Sequence, residues 1–211
     1  LPFPNNPTGA LMDREFLQEV AGIARSVDAW LLCDEVYRGL NHEGEPFTAS
    51  VADLYEKGIS TGSMSKTFSL AGLRLGYVLC GDAALAERLY HCGPPWAVSG
   101  PAQAAGVAAL QAAPDCLPKL RALIGEERPR LAAALGAMGC RVIPGEANYL
   151  LFFHALPDGS PDGTLSARLR TKGVLLRDCS NYLGLGPGWY RTAVRGAEEN
   201  KEMLGRLKEV L

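Results

Sequence analysis

Apolar side chains recur at helical spacing after Asp13, and this pattern predicts a helix that the aspartate caps. The apolar positions of the helix are Phe16, Leu17, Val20, Ile23, Ala24 and Val27. Short apolar runs then predict strands at residues 30–33, 58–62 and 73–80. The first run is too short for a buried helix and ends at Asp34, so we expect a core strand of a parallel sheet. Strands that alternate with helices predict an α/β sheet whose functional groups lie beyond the carboxyl ends of the strands.

The pattern changes at residues 102–113, where an alanine-rich stretch precedes a second helical pattern at 117–138. Pro129 lies inside that second pattern, so we expect a kink or a break near Arg128. Farther along, the predicted strands lie at 141–143, 149–153, 174–177 and 190–194, and the predicted helices lie at 165–172 and from Glu198 onward. These patterns predict three parts, which are residues 1–100, connecting helices at 101–138 and a small C-terminal domain at 139–211.

The amino-acid composition limits the classes of protein to which this chain can belong. The chain has 211 residues, of which 47% are hydrophobic and 21% charged, and its formal net charge is -2. This balance is typical of a globular protein and offers no basic surplus for nucleic acid or for an anionic membrane. No apolar run approaches the roughly 20 residues that a bilayer span needs, so we expect a cytoplasmic protein. The chain begins at Leu1 inside a loop and without a methionine, so we expect it to be the rear part of a longer protein.

The six cysteines are dispersed along the chain, without a C-x-x-C pair or a histidine at zinc spacing. We interpret them as structural residues. The three histidines are equally far apart in the sequence, and we predict no metal site.

Three local motifs carry polar groups of the kind that bind cofactors. Asn6 begins an Asn-Pro-Thr-Gly motif, and Asp34 follows the first predicted strand. A Ser-Met-Ser-Lys motif that ends at Lys66 follows the second predicted strand, with Arg74 eight residues further on. Each motif alone has an ordinary explanation as a tight turn, a cap or a solvated loop. Their order and spacing along the chain are more informative than any one of them.

In this order the motifs resemble the class I/II aminotransferases, which are fold type I enzymes that use pyridoxal 5'-phosphate (PLP). The resemblance extends over essentially the whole chain. It implies an α/β fold in which residues 1–100 form the C-terminal part of a large PLP-binding domain and a small α/β domain follows. It also implies PLP as the cofactor, an amino acid or amino-acid phosphate as the small-molecule substrate, and a homodimer of the full-length protein.

The resemblance implies roles around the cofactor ring. Lys66 matches the lysine that bonds covalently to the cofactor aldehyde and then moves protons at the substrate α-carbon. Asp34 matches the carboxylate that pairs with the ring nitrogen and keeps it protonated. Tyr37 and Asn6 match the phenol and the amide that hydrogen-bond the ring oxygen from two sides. For Tyr37 taken alone, ordinary core packing is the alternative.

The resemblance also implies the groups that hold the cofactor phosphate. Ser63 and Arg74 match the hydroxyl and the guanidinium that bind this dianion, and Ser65 adds a contact. A hydroxyl and a guanidinium fork beside a backbone turn are suited to a phosphate.

The C-terminal part contributes candidate substrate-binding residues, together with Asn6. Arg191 matches the family arginine that clamps the substrate carboxylate, and Arg177 matches an arginine used by the branch with phosphorylated substrates. We interpret Arg195 as structural, with a second substrate contact as the alternative.

Different segments resemble different branches of the family. Segments 95–99, 102–103, 148–152 and 177–191 are most similar to threonine-phosphate decarboxylase of cobalamin biosynthesis and to histidinol-phosphate aminotransferase. Segments 34–40 and 61–67 are more similar to general amino-acid aminotransferases, because decarboxylases tend to carry phenylalanine at the tyrosine of the first of these segments. A chimeric sequence and an intermediate subfamily both explain this mixture.

The expected activity is therefore threonine-phosphate decarboxylation, with histidinol-phosphate or general amino-acid transamination as the alternative. The alternative from another class is a non-catalytic PLP-fold module or an inactive fragment. We expect the 211 residues alone to bind PLP weakly and to turn over poorly, because the resemblance implies further upstream parts of the cofactor site.

Overall fold

The computed structural model describes residues 1–45, 47–155 and 164–211, and their contacts divide into two compact units. The first unit comprises Leu1–Asn5 and Leu11–Arg121, and the second comprises Asn6–Ala10 and Ala122–Leu211. Each unit has its own sheet and its own core. The domain boundaries placed at residues 100 and 138 from the sequence stay a prediction.

The first unit is built on a three-stranded sheet. Its elements in chain order are α1 (Arg14–Ser26), β1 (Leu31–Asp34), α2 (Val51–Leu54), β2 (Gly58–Ser63), α3 (Met64–Thr67), β3 (Gly76–Cys80), α4 (Ala83–Cys92) and the first part of α5 (Gly100–Ala137). Strand β1 pairs in parallel with β2, and β2 pairs antiparallel with β3. The Asp13 side chain accepts a hydrogen bond from Phe16 N, which confirms the predicted cap of α1.

One side of β1 faces the core of the first unit. Leu31 and Cys33 are buried, whereas Leu32 between them is 53% exposed. The buried residues of this core are Phe3, Leu17, Ala21, Ala24, Leu31, Cys33, Val51 and Tyr55. The strand is parallel as expected, but only one of its sides is buried, because the core residues of α1 and α2 pack on the side of Leu31 and Cys33.

Strand β3 begins later than residue 73, where the sequence pattern places it. Residues Ala71–Leu73 form a 3-10 turn, and Arg74 has a left-handed backbone conformation with a φ of 52°. A residue in this conformation cannot continue a strand, so pairing with β2 starts at Gly76.

The second unit contains a four-stranded antiparallel sheet. After the end of α5, its elements are β4 (Arg141–Val142), β5 (Tyr149–Phe153), α6 (Leu165–Thr171), β6 (Arg177–Asp178), β7 (Trp189–Ala193) and α7 (Ala197–Lys208). The strand order is β4-β5-β7-β6. The buried core consists of Leu131, Leu135, Cys140, Leu150, Phe152, Leu165, Leu169, Leu176, Tyr190 and Leu207. The strand predicted at 149–153 is confirmed, as are the two helices predicted after it.

The end of α6 shortens the strand predicted at 174–177. Gly173 adopts a φ of 79°, a left-handed conformation that glycine accepts without a steric penalty. Across this turn Val174 N donates a hydrogen bond to Leu169 O at 3.0 Å. The backbone of these residues therefore completes the helix C-terminus, and pairing in β6 begins only at Arg177.

Helix α5 continues through Pro129, so a break near Arg128 is wrong, and the kink expected as the other outcome stays a prediction. Tertiary contacts hold the residues around the proline. Arg128 Nε donates a hydrogen bond to Ala147 O at 3.2 Å, and the neighbouring Glu127 is 2% exposed. Such contacts offset a penalty of about 3 kcal/mol for proline in a helix interior. Among the described helices, including α5, none is long and apolar enough to cross a membrane.

All six cysteines are free thiols. Cys33, Cys140 and Cys179 are buried, and burial raises the pKa of each of these thiols, that of Cys140 to about 11. A thiol with a raised pKa is a poor nucleophile at neutral pH, which agrees with a structural role for these three residues.

Glu127 is the buried centre of a polar network that joins α5 to α7. Its carboxylate accepts hydrogen bonds from Arg130 at 2.5 Å and from Asn200 Nδ2 at 2.7 Å. Asn200 also exchanges hydrogen bonds with the backbone of Arg195, whose guanidinium pairs with Glu199 at 2.5 Å. The hydrogen bonds from Arg130 and Asn200 lower the pKa of Glu127 below its usual value.

The substitution Glu127→Gln tests this network. A carboxyl with a lowered folded-state pKa stabilises the fold above its unfolded-state pKa of about 4.3, and this stabilisation is lost as the pH falls through the folded-state value. We therefore expect Glu127→Gln to lower the free energy of unfolding near neutral pH and to have a much smaller effect at about pH 2 to 3. Urea denaturation at both pH values measures the difference.

The control is Glu126→Gln, which makes the same change at the exposed neighbouring position. Equal destabilisation by Glu127→Gln at both pH values would show that the charge of Glu127 does not matter.

Candidate active site

The predicted site residues are divided between the two units. The first unit contains Asp34, Tyr37, Ser63, Ser65, Lys66 and Arg74, and the second contains Asn6, Arg177 and Arg191. The predicted cofactor contacts, apart from Asn6, therefore belong to the first unit, and the predicted substrate contacts belong to the second.

Parallel pairing brings the ends of β1 and β2 to one edge of the first sheet. Asp34 is the last residue of β1 and lies opposite Thr61 of β2. Ser63 ends β2 and caps α3, the short helix that carries Lys66. Ligands of α/β sheets bind beyond the carboxyl ends of the strands, and Asp34 and Ser63 both lie at such ends.

The backbone of Asp34 is held on both sides while its carboxylate stays exposed. Asp34 N donates a hydrogen bond to Leu1 O, and Asp34 O accepts one from Phe3 N, both at 2.8 Å. Its Oδ1 accepts a hydrogen bond from Val36 N at 3.2 Å. In the described part of the chain, Oδ2 accepts none, so the carboxylate keeps an oxygen for a cationic partner.

Lys66 and Tyr37 lie close together. The Lys66 Nζ is 5.7 Å from the centroid of the Tyr37 ring, a cation–π distance. Tyr37 is buried, whereas Lys66 is exposed. Among the described residues, the Lys66 amine has no hydrogen-bond or ion-pair partner. The amine and the phenol can therefore act on the same bound molecule.

The segment between Ser63 and Arg74 combines anion-binding groups with backbone strain. Ser63 Oγ accepts a hydrogen bond from Ser65 N at 3.1 Å, and Arg74 donates one to Ala71 O at 3.1 Å. Ser69 and Arg74 have positive φ values of 57° and 52°. A left-handed conformation costs a non-glycine residue roughly 1–2 kcal/mol and is often found at functional sites. The segment presents a hydroxyl and a guanidinium, which suit a phosphate.

The second unit brings Asn6 together with Arg191. Arg191 NH1 donates a short hydrogen bond to Asn6 Oδ1, and the Arg191 guanidinium lies 4.9 Å from the centroid of the Tyr149 ring. Arg177 is the Cα partner of Arg191 across β6 and β7, and its NH2 donates to Asn181 Oδ1 at 3.2 Å. Two guanidinium groups therefore lie on the same side of adjacent strands.

Three residues at this cluster were not predicted from the sequence, namely Tyr149, Asn181 and Tyr182. The Arg177 guanidinium carbon lies 5.6 Å from the centroid of the Tyr182 ring. The Tyr182 hydroxyl donates a hydrogen bond to Asn6 Oδ1 at 3.5 Å. Asn181 and Tyr182 follow Arg177 closely in the chain, so sequence proximity was an available signal. The contact of Tyr149 depends on the register of β5 with β7, for which the sequence offers no signal.

The loop that carries Asn6 packs on the backbone of Gly145. Gly9 has a φ of 75°, and its carbonyl accepts a hydrogen bond from Glu146 N at 2.6 Å. A Cβ atom at Gly145 would lie 2.5 Å from Thr8 O, which is closer than such atoms approach in proteins. Glycine at position 145 therefore permits the position of the loop.

Two curated relatives are similar to nearly the whole chain. The threonine-phosphate decarboxylase of Salmonella typhimurium is 35% identical over 209 residues, which cover 99% of this chain and 56% of the relative. The histidinol-phosphate aminotransferase of Mycobacterium leprae is 36% identical over 207 residues, which cover 98% of this chain and 51% of the relative. The chain thus spans about half the length of the curated relatives that it matches.

A solved structure has the same fold. The histidinol-phosphate aminotransferase from Clostridium acetobutylicum superposes with a TM-score of 0.85 and covers 100% of this chain and 62% of that chain. The sequence identity is 24%, so this likeness concerns the fold alone. The predicted fold class, an α/β chain of PLP-dependent fold type I, is confirmed.

The sequence model of the family described as Aminotransferase class I and II matches residues 2–207. Enzymes of this family use PLP, so the predicted cofactor is confirmed at the level of the family. With nearly the entire chain matched, this protein belongs to the class I and II aminotransferases, a family of PLP-dependent enzymes.

Proposed function

We propose that the full-length protein is a PLP-dependent enzyme that decarboxylates a small amino-acid phosphate, as its threonine-phosphate decarboxylase relative is named to do. The observation that supports this substrate class best is the pairing of Arg177 with Arg191 across adjacent strands. A place in cobalamin biosynthesis is proposed from the same relative. The cytoplasmic location and the homodimer are proposed from the family resemblance alone.

The two arginines form a site for two negative charges. Like charges directly opposite each other destabilise a sheet. In the described part of the chain, neither guanidinium pairs with a carboxylate, and their side-chain hydrogen bonds go to Asn6 and Asn181. A ligand with two anionic groups would remove this repulsion on binding. An amino-acid phosphate carries both a carboxylate and a phosphate.

The surroundings of the two arginines suggest which anion each one binds. Arg191 is half-buried and is held by Asn6 and Tyr149, which favours the planar, bidentate contact of a carboxylate. Arg177 is exposed and lies over the Tyr182 ring, and an exposed guanidinium can bind a phosphate dianion that stays partly hydrated.

The first unit fits PLP by the chemistry of its donors and acceptors. Asp34 would bind the protonated ring nitrogen through its carboxylate, and Tyr37 would donate its phenolic hydrogen to the ring oxygen. Ser63 and Arg74 would hold the phosphate, with Ser65 beside them. When bound, PLP supplies the electron sink for the bond that breaks at the substrate α-carbon.

Lys66 has two tasks in this proposal. Its Nζ, with no competing partner among the described residues, attaches the cofactor. As a free amine, Lys66 would hold and move a proton at the substrate α-carbon. In a decarboxylase this proton is delivered to the α-carbon after the carboxylate has left.

Transamination is the second candidate, because the histidinol-phosphate aminotransferase relative is as similar as the decarboxylase relative. Lys66 would then remove the α-proton instead of delivering one. The arginine pair serves the first half of this alternative less directly, because histidinol phosphate has a phosphate but no carboxylate. The keto acid that accepts the amino group in the second half does carry a carboxylate.

We expect Lys66→Ala to abolish the covalent attachment of PLP, because Lys66 carries the side-chain amine of α3, the helix that follows the end of β2. Borohydride reduction followed by peptide mass spectrometry measures the attachment. Lys119→Ala, at an exposed position of α5, is the control and should leave it intact. Attachment of PLP at full yield to the Lys66→Ala protein would rule out the assignment.

The arginine assignment predicts different effects of two substitutions. Arg177→Gln should weaken binding of L-threonine phosphate about 10- to 100-fold and leave binding of L-threonine nearly unchanged, because a charge-assisted hydrogen bond contributes about 1.5–3 kcal/mol. Arg191→Gln should weaken both ligands. Calorimetric titration of each variant measures these affinities.

The control for both arginines is Arg195→Gln, since Arg195 pairs with Glu199 and should not affect either ligand. Equal loss of both ligands in Arg177→Gln would contradict the phosphate assignment.

Product analysis separates the two reactions. With L-threonine phosphate, the full-length protein should release carbon dioxide and form no keto acid. Carbon dioxide capture and keto-acid detection with a hydrazine reagent measure the two products. Formation of a keto acid without carbon dioxide would favour transamination and refute the decarboxylase proposal.

A further inference from the structure

Glu35 is a buried acidic residue that no part of the proposed function uses. It lies next to Asp34 in the chain, two residues before Tyr37, and it is 4% exposed. Burying a carboxylate is unfavourable unless hydrogen bonds or a positive charge compensate the loss of water. The contacts of Glu35 therefore indicate why a charge is kept at this position.

The carboxylate of Glu35 binds the start of α2. Its Oε1 accepts hydrogen bonds from Ser50 Oγ and from Val51 N, both at 3.0 Å. The backbone N–H of Glu35 donates to Thr61 O of β2 at 2.9 Å. Glu35 thus connects the end of β1 to β2 through its backbone and to α2 through its side chain.

Arg38 makes a second connection to the same region. Its Nε donates a hydrogen bond to Thr48 O at 2.8 Å, and its backbone N–H donates to Glu35 O at 2.9 Å. Arg38 Nε also lies 3.8 Å from Glu35 Oε2, within ion-pair distance. The turn of residues 35–38 is therefore attached at both ends to residues 48–51, and Tyr37 lies between the two attachments.

The second carboxylate oxygen argues against a role in packing alone. Glu35 Oε2 is buried and accepts no hydrogen bond in the described chain. Among the described residues, the positive charge that faces Oε2 is that of Arg38, through the ion pair. Apolar residues that replace a buried ion pair are often neutral or stabilising, so stability alone does not account for an incompletely bonded carboxylate.

We propose that Glu35 is a positioning residue, which holds the 35–38 turn so that Asp34 and Tyr37 face the same bound cofactor. The inference rests on the proposed function, since it concerns the PLP site. Glu35 itself would not touch the cofactor. It acts through the backbone that it shares with Asp34 and through the attachment of the turn that carries Tyr37.

The test uses the full-length protein with Glu35→Gln, which keeps the shape of the side chain and an oxygen that can accept from Ser50. Glu45→Gln makes the same chemical change at an exposed position and is the matched control. Ser50→Ala removes one hydrogen-bond donor to Glu35 Oε1 without removing the charge of Glu35. It is the second test variant, used for the same measurements if Glu35→Gln does not fold.

Four measurements separate a positioning role of Glu35 from a role in stability alone. PLP affinity is measured by fluorescence titration, and the pH midpoint of the visible band of bound PLP is measured by absorbance. Amide hydrogen exchange of residues 35–38 is measured without the cofactor. The midpoint of thermal unfolding is recorded for each variant.

We expect Glu35→Gln to weaken PLP binding roughly 3- to 10-fold, because it removes the ion pair with Arg38 and places an N–H donor opposite the Arg38 guanidinium. The pH midpoint should shift by at least about 0.3 unit, because the ring contacts of Asp34 and Tyr37 set it. Exchange at residues 35–38 should be faster, and Glu45→Gln should match the unsubstituted protein. Ser50→Ala should shift the same quantities in the same direction by a smaller amount.

A lower unfolding temperature with unchanged PLP affinity, pH midpoint and exchange would overturn the inference and leave Glu35 a structural residue. Absence of PLP binding by the unsubstituted protein would instead refute the proposed function, and the inference with it. The two failures are therefore distinguishable.

Discussion

The parallel pairing of β1 with β2 is the constraint on which the first unit depends. Its register places Asp34 opposite Thr61, so the carboxylate and the chain leading to Lys66 emerge at one edge of the sheet. A slip of one residue would turn every β1 side chain to the other face. Burial of Leu31 and Cys33 opposes such a slip, because it would expose both residues. The apolar core of this unit therefore also keeps the polar groups in place.

The second unit stabilises a sheet that carries two adjacent positive charges. Its large buried core lies among β5, β7 and the helices α5, α6 and α7. Burial of these apolar side chains stabilises the fold and offsets the repulsion between the two arginines. The network around Glu127 adds a buried connection between α5 and α7. The same chain thus uses apolar burial to maintain two polar arrangements, one built around a carboxylate and an amine and the other around two guanidinium groups.

Local patterns predicted much of the fold, and contacts between distant residues account for the rest. The cap at Asp13 and the strand at 149–153 follow from side chains that lie near one another in the sequence. The turn at Gly173 and the uninterrupted helix at Pro129 do not, because in both places backbone or tertiary hydrogen bonds outweigh local propensity. For the site, motif order was sufficient to predict the family and its cofactor. The role proposed for Glu35 could not be predicted from the sequence, because its carboxylate accepts hydrogen bonds from residues fifteen and sixteen positions away.

The close packing of the Asn6 loop on Gly145 has a consequence for how this protein could acquire a new substrate. Any side chain at position 145 would push against Thr8 O and shift the loop, and Asn6 would move with respect to Arg191. Laboratory evolution that varies only the polar residues of the site would overlook this position. With the substrate-binding roles proposed for Asn6 and Arg191, a library that includes residue 145 is expected to change substrate preference without altering a charged group.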